Sequence, residues 1–293
     1  MIWLTFLPAV LTLALAAVLS AVPLRLHPAW TGRLLATVAA TTVVATLGTL
    51  VFIALNYAAT LFPGAADRLP EWVLFGDDQP VHTALGVPAL GLTVLSAVIT
   101  ARLCVRWAAE VRDAQHTARN VVDSDTPLAV AVPGRHGGII VSRGLLHALD
   151  QEQLQVVFHH EASHLRHRHH RYLALGALAA GMLPLLKGLN ARLRFCLERW
   201  ADEDTAEAVG DRTLVAHTIA HVALSQSSAG PTAPPFPAFT DSGVLQRVQA
   251  LLDTAPSKNS ISGPVLLTSA GLATGALASV AWQVDHALRL ALL

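Results

Sequence analysis

Residues 150–171 read DQEQLQVVFHHEASHLRHRHHR, and this stretch sets the reading of the whole chain. Asp150 with Gln153 three residues on has the spacing of a helix-opening capping box, in which each side chain satisfies a backbone N–H of the other. The apolar residues Leu154, Val157, Phe158 and Leu165 then recur at helical spacing, so a helix is predicted over 151–169. His160 and His164 stand four apart and therefore on one face of it, with Glu161 between them. This HExxH pattern lets two imidazoles hold one zinc ion while the glutamate reaches the water on that ion. A water so held has its pKa lowered to about 7 and becomes a nucleophile that a carboxylate can deprotonate and aim at a peptide carbonyl.

A hydrolytic zinc site needs a third protein ligand and one open position. Two residues compete for the role. His170 follows His164 by six, the spacing of HExxHxxGxxH, but His167 occupies the place of the glycine that turns the chain. With the helix continuing, the His170 ring lies too far along to close on the same ion. Glu198, in the segment ERWAD at 198–202, is preferred, because Asp202 one turn later shares its face and can accept a hydrogen bond from a ligand histidine. His159, His167, His169 and His170, interleaved with Arg166, Arg168 and Arg171, are read as a basic helix end suited to lipid headgroups. His217, His221 and Arg212 are candidate donors to a reaction oxyanion, although the first two also fit as the plain lining of a helix.

Working outward, PLAVAVPG from residue 127 and IIVS from 139 are β-rich runs separated by Gly134, Gly137 and Gly138, the pattern of a hairpin. The resemblance to gluzincin peptidases carried by HExxH and ERWAD implies that the edge of the 139–141 run holds a peptide substrate as an added strand. Further helices are predicted over 192–209 and 213–225, then a proline-rich loop over 227–243 and a short helix, GVLQRVQALL, at 243–252. Residues 172–186 are apolar but number only 15 and contain Pro184. If they crossed a membrane, Glu198 would emerge on the opposite side from His160, so the ligand assignment requires a segment that stays on one side.

The chain is 53% hydrophobic and 14% charged, against about 25% charged in an average soluble domain. Stretches 2–22, 34–55, 83–105 and 265–284 are each long and apolar enough to span roughly 30 Å of hydrocarbon. Arg25 and Arg33 fall between the first two without an acidic residue, whereas 56–82 carries Asp67, Glu71, Asp77 and Asp78 against Arg68. Arg102, Arg106, Arg112 and Arg119 follow the third. Retention of basic residues in the cytoplasm then puts the N-terminus outside and the region after the third span inside. Twenty basic against twenty acidic residues leave no excess positive charge for nucleic acid. Cys104 and Cys196 form neither a CxxC nor a disulfide framework, and the first three spans lack the internal carboxylates or lysines of an ion pathway. The intact Glu161 also argues against a purely structural zinc, which needs only ligands.

The segments HHEASHLRHRHH, ERWADEDTAE, AVPGRHGGIIVSRGLLHALDQEQLQVV and RVQALL resemble those of membrane-embedded gluzincin metallopeptidases of the BlaR/MecR antirepressor type. More distantly they are similar to the HtpX and CAAX-prenyl endopeptidase group. The resemblance implies an α-helical integral membrane protein with four transmembrane helices, and a mainly α (α+β) zinc-protease domain inserted between helices 3 and 4. The expected divisions are 1–105, 106–258 and 259–293. It implies one Zn2+ per chain on His160, His164 and Glu198, Glu161 as catalytic base, and Asp202 as the residue orienting a histidine. It also implies a multi-pass protein of the cell membrane with its site facing the cytoplasm. Expected partners are the bilayer and a protein substrate, such as a DNA-binding repressor. Turnover of membrane proteins and non-catalytic zinc sensing are the alternatives. Little follows the last span, so the extracellular penicillin-binding sensor of antibiotic-responsive members is not expected here.

Overall fold

A computed structural model describes residues 6–62, 64, 81–117, 121–134, 137–228, 243–259 and 261–269. Their secondary structure is almost entirely helical: α1 Leu7–Ala21, α2 Pro28–Leu61, α3 Thr83–Thr117, β1 Ala129–Val132, β2 Gly138–Val141, α4 Arg143–Ala148, α5 Gln151–Arg166, α6 His169–Met182, a 3-10 turn Pro184–Leu186, α7 Lys187–Val209, α8 Arg212–Ser228 and α9 Val244–Leu252. The expected fourth span at 265–284 and the acidic loop residues Asp67, Glu71, Asp77 and Asp78 fall mostly or wholly outside the described residues.

Among the described residues two helices, Pro28–Leu61 and Thr83–His116, are long and apolar enough to cross a membrane, with mean hydropathies of 2.2 and 1.9 over their most apolar windows. At 1.5 Å per residue each is about 50 Å long, so each outruns a hydrocarbon layer of about 30 Å by several turns. The expected third span therefore does not end at Val105 as a helix; it continues to Thr117. The apolar window of α3 is only 11% buried, and Val87, Val94 and Leu95 on it are more than half exposed. The shorter α1 is apolar and packs on α2 through Ala16 and Leu19.

The largest core cluster joins Ala16 and Leu19 of α1, Leu35, Val38, Ala39 and Val43 of α2, Ala179 of α6 and Leu189, Leu193, Cys196, Leu197 and Trp200 of α7. Burying a leucine such as Leu35 or Leu197, both at 0% exposure, contributes about 1.5–3 kcal/mol each. Helices α6 and α7 form a hairpin through the Pro184–Leu186 turn. Their close approach needs Gly176, where a Cβ would stand 2.3 Å from Asn190 Oδ1. The chain thus reverses direction at residues 183–186, as the ligand assignment requires, and α7 brings Glu198 to 3.5 Å from His160.

The capping box forms as read: Gln153 N donates to Asp150 Oδ1 at 2.8 Å and Asp150 N to Gln153 Oε1 at 3.3 Å. The helix it opens is shorter than expected. It stops at Arg166, and Arg168 takes a left-handed conformation at φ 55 before α6 begins at His169. No glycine makes this turn; Asp204 of α7 does, accepting from Ser163 Oγ at 2.8 Å and pairing with His167 Nε2 at 2.6 Å. Two local polar contacts thereby offset the modest cost of a non-glycine residue at positive φ. The later helices start earlier than read, at Lys187 and Arg212.

Candidate metal centre

Helix α5 presents His160 and His164, and α7, lying across it, presents Glu198 and Asp202. His160 Nε2 lies 3.2 Å from His164 Nε2 and 3.5 Å from Glu198 Oε2, and His164 Nε2 lies 3.6 Å from Glu198 Oε1. A tetrahedral zinc with bonds of about 2.0–2.2 Å holds its ligand atoms about 3.3–3.6 Å apart. The nitrogen–nitrogen separation and the nearest approach of each histidine to a Glu198 oxygen, Oε2 for His160 and Oε1 for His164, are close to that spacing, and the two-nitrogen, one-carboxylate donor set is a zinc set that leaves a fourth position open. His170 is not in the group. It stands on the cleft wall with its ring stacked toward Trp107 at 6.5 Å.

Two of the three ligand residues, His160 and Glu198, are held from behind. His160 Nδ1 is 3.3 Å from Asp202 Oδ1, and Asp202, at 0% exposure, is gripped by Arg247 of α9 through Nε–Oδ2 at 2.8 Å and Nη2–Oδ1 at 2.7 Å. Arg247 Nη1 also reaches Glu198 Oε2 at 3.0 Å. The buried arginine is a site residue that the sequence reading did not single out, although it stands in the quoted RVQALL. Its signal was one basic residue on the apolar face of a short helix.

The electrostatics follow from this packing. Burial alone would depress the His160 imidazole, but Asp202 and Glu198 outweigh it and raise its pKa to about 9. Burial and the neighbouring His160 and Arg247 press His164 down to about 4, with Glu198 opposing them. Burial would raise both Glu198 and Asp202; Arg247 is the chief reason that Glu198 instead lies well below its ordinary value and Asp202 near 2. Glu161 is 6% exposed, and burial pushes its carboxyl up to about 7 against the pull of His160 and a backbone hydrogen bond from Ala131. A carboxylate poised near neutral pH is well matched to general-base work.

A cleft of about 300 Å3 opens onto these side chains, walled by Trp107, Val111 and Ala114 of α3, by residues 129–133, and by Leu173, Ala174 and Ala177 of α6. The strand on the cleft is thus β1. It was the edge of the 139–141 run that was expected to receive substrate, but β2 pairs with β1 on one side, and at its far edge Val141 O accepts from Val122 N at 3.0 Å. The three oxyanion candidates also lie elsewhere. Arg212 is spent on Glu203 and on the carbonyls of Ala250 and Leu251, and His217 and His221 are exposed on α8. The reading of 166–171 as a uniform basic helix end is likewise corrected: His169 is fully buried.

Comparison with known proteins agrees with this geometry. A protease HtpX homolog of Acidiphilium cryptum (strain JF-5) is 42% identical over 72 residues, 24% of this chain and 25% of that protein. Another protease HtpX homolog, of Caldanaerobacter subterraneus subsp. tengcongensis, is 38% identical over 58 residues, 20% of this chain and 19% of that protein. The chain thus spans a quarter or less of the length of the curated relatives it matches. No solved structure matches it. Residues 99–226, which carry His160, Glu161, His164, Glu198 and Asp202, match the model of peptidase family M48.

Proposed function

We propose that this protein is a membrane-bound zinc metalloendopeptidase that cleaves cytoplasmic or membrane-associated proteins. The observation that carries the reading is the set of separations among His160, His164 and Glu198, with the buried Glu161 beside them. Zinc held by those three residues supplies a Lewis acid that acidifies water and polarises a carbonyl. Glu161 accepts the proton of the attacking water and passes it to the leaving amine. Asp202 keeps the His160 proton on Nδ1, which frees Nε2 for the metal. The outer edge of β1 lies along the cleft, where a substrate backbone in extended form can pair with it.

In this reading the chain crosses the bilayer four times, its N-terminus lies outside and the site faces the cytoplasm, as the placement of Arg25 and Arg33 against Asp67, Glu71, Asp77 and Asp78 supports. A cytoplasm-only reporter is expected to work when fused near Ser124 and to fail near Gly76; the reverse would invert the topology. The resemblance to antirepressor peptidases supports a DNA-binding repressor as substrate, with turnover of membrane proteins as the alternative. The test is Glu161→Gln, which removes the base and no ligand. Purified variant is expected to keep one zinc per chain, and cells carrying it to accumulate the uncleaved substrate that wild-type cells process. Wild-type cleavage by the variant would end the peptidase reading. Unchanged transcription with accumulating misfolded membrane proteins would replace the repressor with the alternative substrate.

A further inference from the structure

His169 lies directly behind the second histidine of the motif. Its Nδ1 stands 2.9 Å from His164 Nδ1, with the rings edge to face at 4.8 Å and 85°. His164 Nε2 is the atom that meets His160 and Glu198, so His169 touches the nitrogen on the far side of the ring and is not itself placed to join the ligand set. The turn at Arg168 makes this contact possible. In an unbroken helix residues five apart do not share a face, whereas the left-handed residue swings His169 beneath His164.

We propose that His169 is a positioning residue that accepts the Nδ1–H of His164 and so fixes His164 Nε2 as a metal-binding lone pair, a role that rests on the metallopeptidase reading. Two nitrogens 2.9 Å apart share one hydrogen. If His169 donated it, the His164 proton would sit on Nε2, pointed at the metal position, and His164 could not be a ligand. Metal binding at Nε2 therefore selects the other arrangement, in which His169 carries its proton on Nε2.

The surroundings of His169 support a dedicated role. It is at 0% exposure, and its ring lies 4.8 Å from that of Trp200 and 5.8 Å from that of His167. Among the described residues its Nε2 has no hydrogen-bond partner. Leaving a buried N–H unsatisfied costs about 1–3 kcal/mol, which a leucine or phenylalanine in the same bed would not incur. What a histidine adds there is the one acceptor facing His164. The arrangement mirrors that of His160, whose Nδ1 faces Asp202, so both imidazoles are oriented from behind by separate groups, one charged and one neutral.

The test compares zinc dissociation constants, by chelator competition on full-length protein in detergent, for wild type, His164→Ala, His169→Leu and His169→Asn. Asparagine keeps an acceptor near the place of Nδ1; leucine keeps only the volume. His169→Leu is expected to weaken zinc binding about 10–100-fold, and His169→Asn to recover most of that loss. Equal weakening by the two, with metal-free melting temperatures unchanged, would show that only packing matters and overturn the proposal. So would a His169→Leu protein that binds zinc as wild type does. A wild type that binds zinc no better than His164→Ala would instead overturn the metal site itself. Should the leucine variant not fold, nitrogen-15 histidine spectra of the zinc-loaded wild type decide: protonated His164 Nδ1 and unprotonated His169 Nδ1 are expected, and the opposite tautomers refute the proposal.

Discussion

Replacing Arg247 by methionine removes a guanidinium at 1% exposure and leaves its apolar stem. Asp202, fully buried, then loses two hydrogen bonds of 2.7–2.8 Å, and Glu198 loses its partner at 3.0 Å. Breaking a buried ion pair from one side costs about 3–5 kcal/mol, because the remaining charge is left uncompensated. Asp202 keeps His160 at 3.3 Å, which places the expected loss toward the lower end, about 3 kcal/mol out of a total folding stability of about 5–15. The sign of the pH dependence follows. Arg247 holds the folded Asp202 near 2, below its unfolded value of 3.8, so this contribution is present above that unfolded value and lost as pH falls toward 2. The stability gap between wild type and Arg247→Met is therefore full at pH 7 and narrows on acidification. The assay is denaturant unfolding of chelator-treated protein in detergent, at pH 7 and at successively lower pH, with Arg247→Met repeated in an Asp202→Asn background. There the same change is expected to cost less, since no aspartate charge is stranded. A loss below about 1 kcal/mol, or an equal loss in both backgrounds, would refute the reasoning.

Glu198→Ala is expected to abolish measurable zinc retention on dialysis, whereas His170→Ala retains it; the opposite result would transfer the third ligand to His170. Because zinc must displace a proton from His160, whose pKa in the metal-free protein is about 9, apparent zinc affinity is expected to rise about tenfold per pH unit toward that value and then level off. A flat profile between pH 6 and 8 would show that His160 is neutral without metal. Leu197→Ala opens a cavity between α7 and α2 and is expected to cost about 2–5 kcal/mol, read as a lowered unfolding midpoint.

The parts of this architecture that were legible in the sequence are those fixed by short-range rules. The capping box, the His160/His164 face and the Glu198/Asp202 face each depend on spacings of three or four residues, and each forms as read. The extent of α5 was misread because the turn at 167–168 has no local glycine; its cause is Asp204, some forty residues away. His169 was assigned to the surface for the same reason, since burial of one histidine within HLRHRHH depends on Trp200 packing over it. Arg247 escaped notice because a lone arginine on a nine-residue helix acquires meaning only when Asp202 and Glu198 arrive opposite it.

Helix α7 explains why the site and the apolar helices belong to one structure. Its Leu193, Leu197 and Trp200 face α1 and α2, while Glu198 and Asp202, one residue after Leu197 and two after Trp200, face α5. Rotating α7 by even one residue's turn, about 100°, would exchange those faces. Packing against α2 therefore fixes the azimuth of Glu198. Gly32 of α2 lies at that contact, where an added Cβ would already touch Leu197 at 3.5 Å and anything longer would press on it, and Arg33 stacks over Trp200 at 4.9 Å. Trp200 in turn supports His169 and His167. A perturbation of the N-terminal turns of α2 thus has a short mechanical route to both metal-ligating elements. Burial in close-packed cores transmits such shifts instead of absorbing them. Substitutions at Gly32 with large side chains are accordingly expected to weaken zinc binding without touching a ligand, and unaltered zinc affinity in a folded Gly32→Leu protein would show that the two helices are uncoupled.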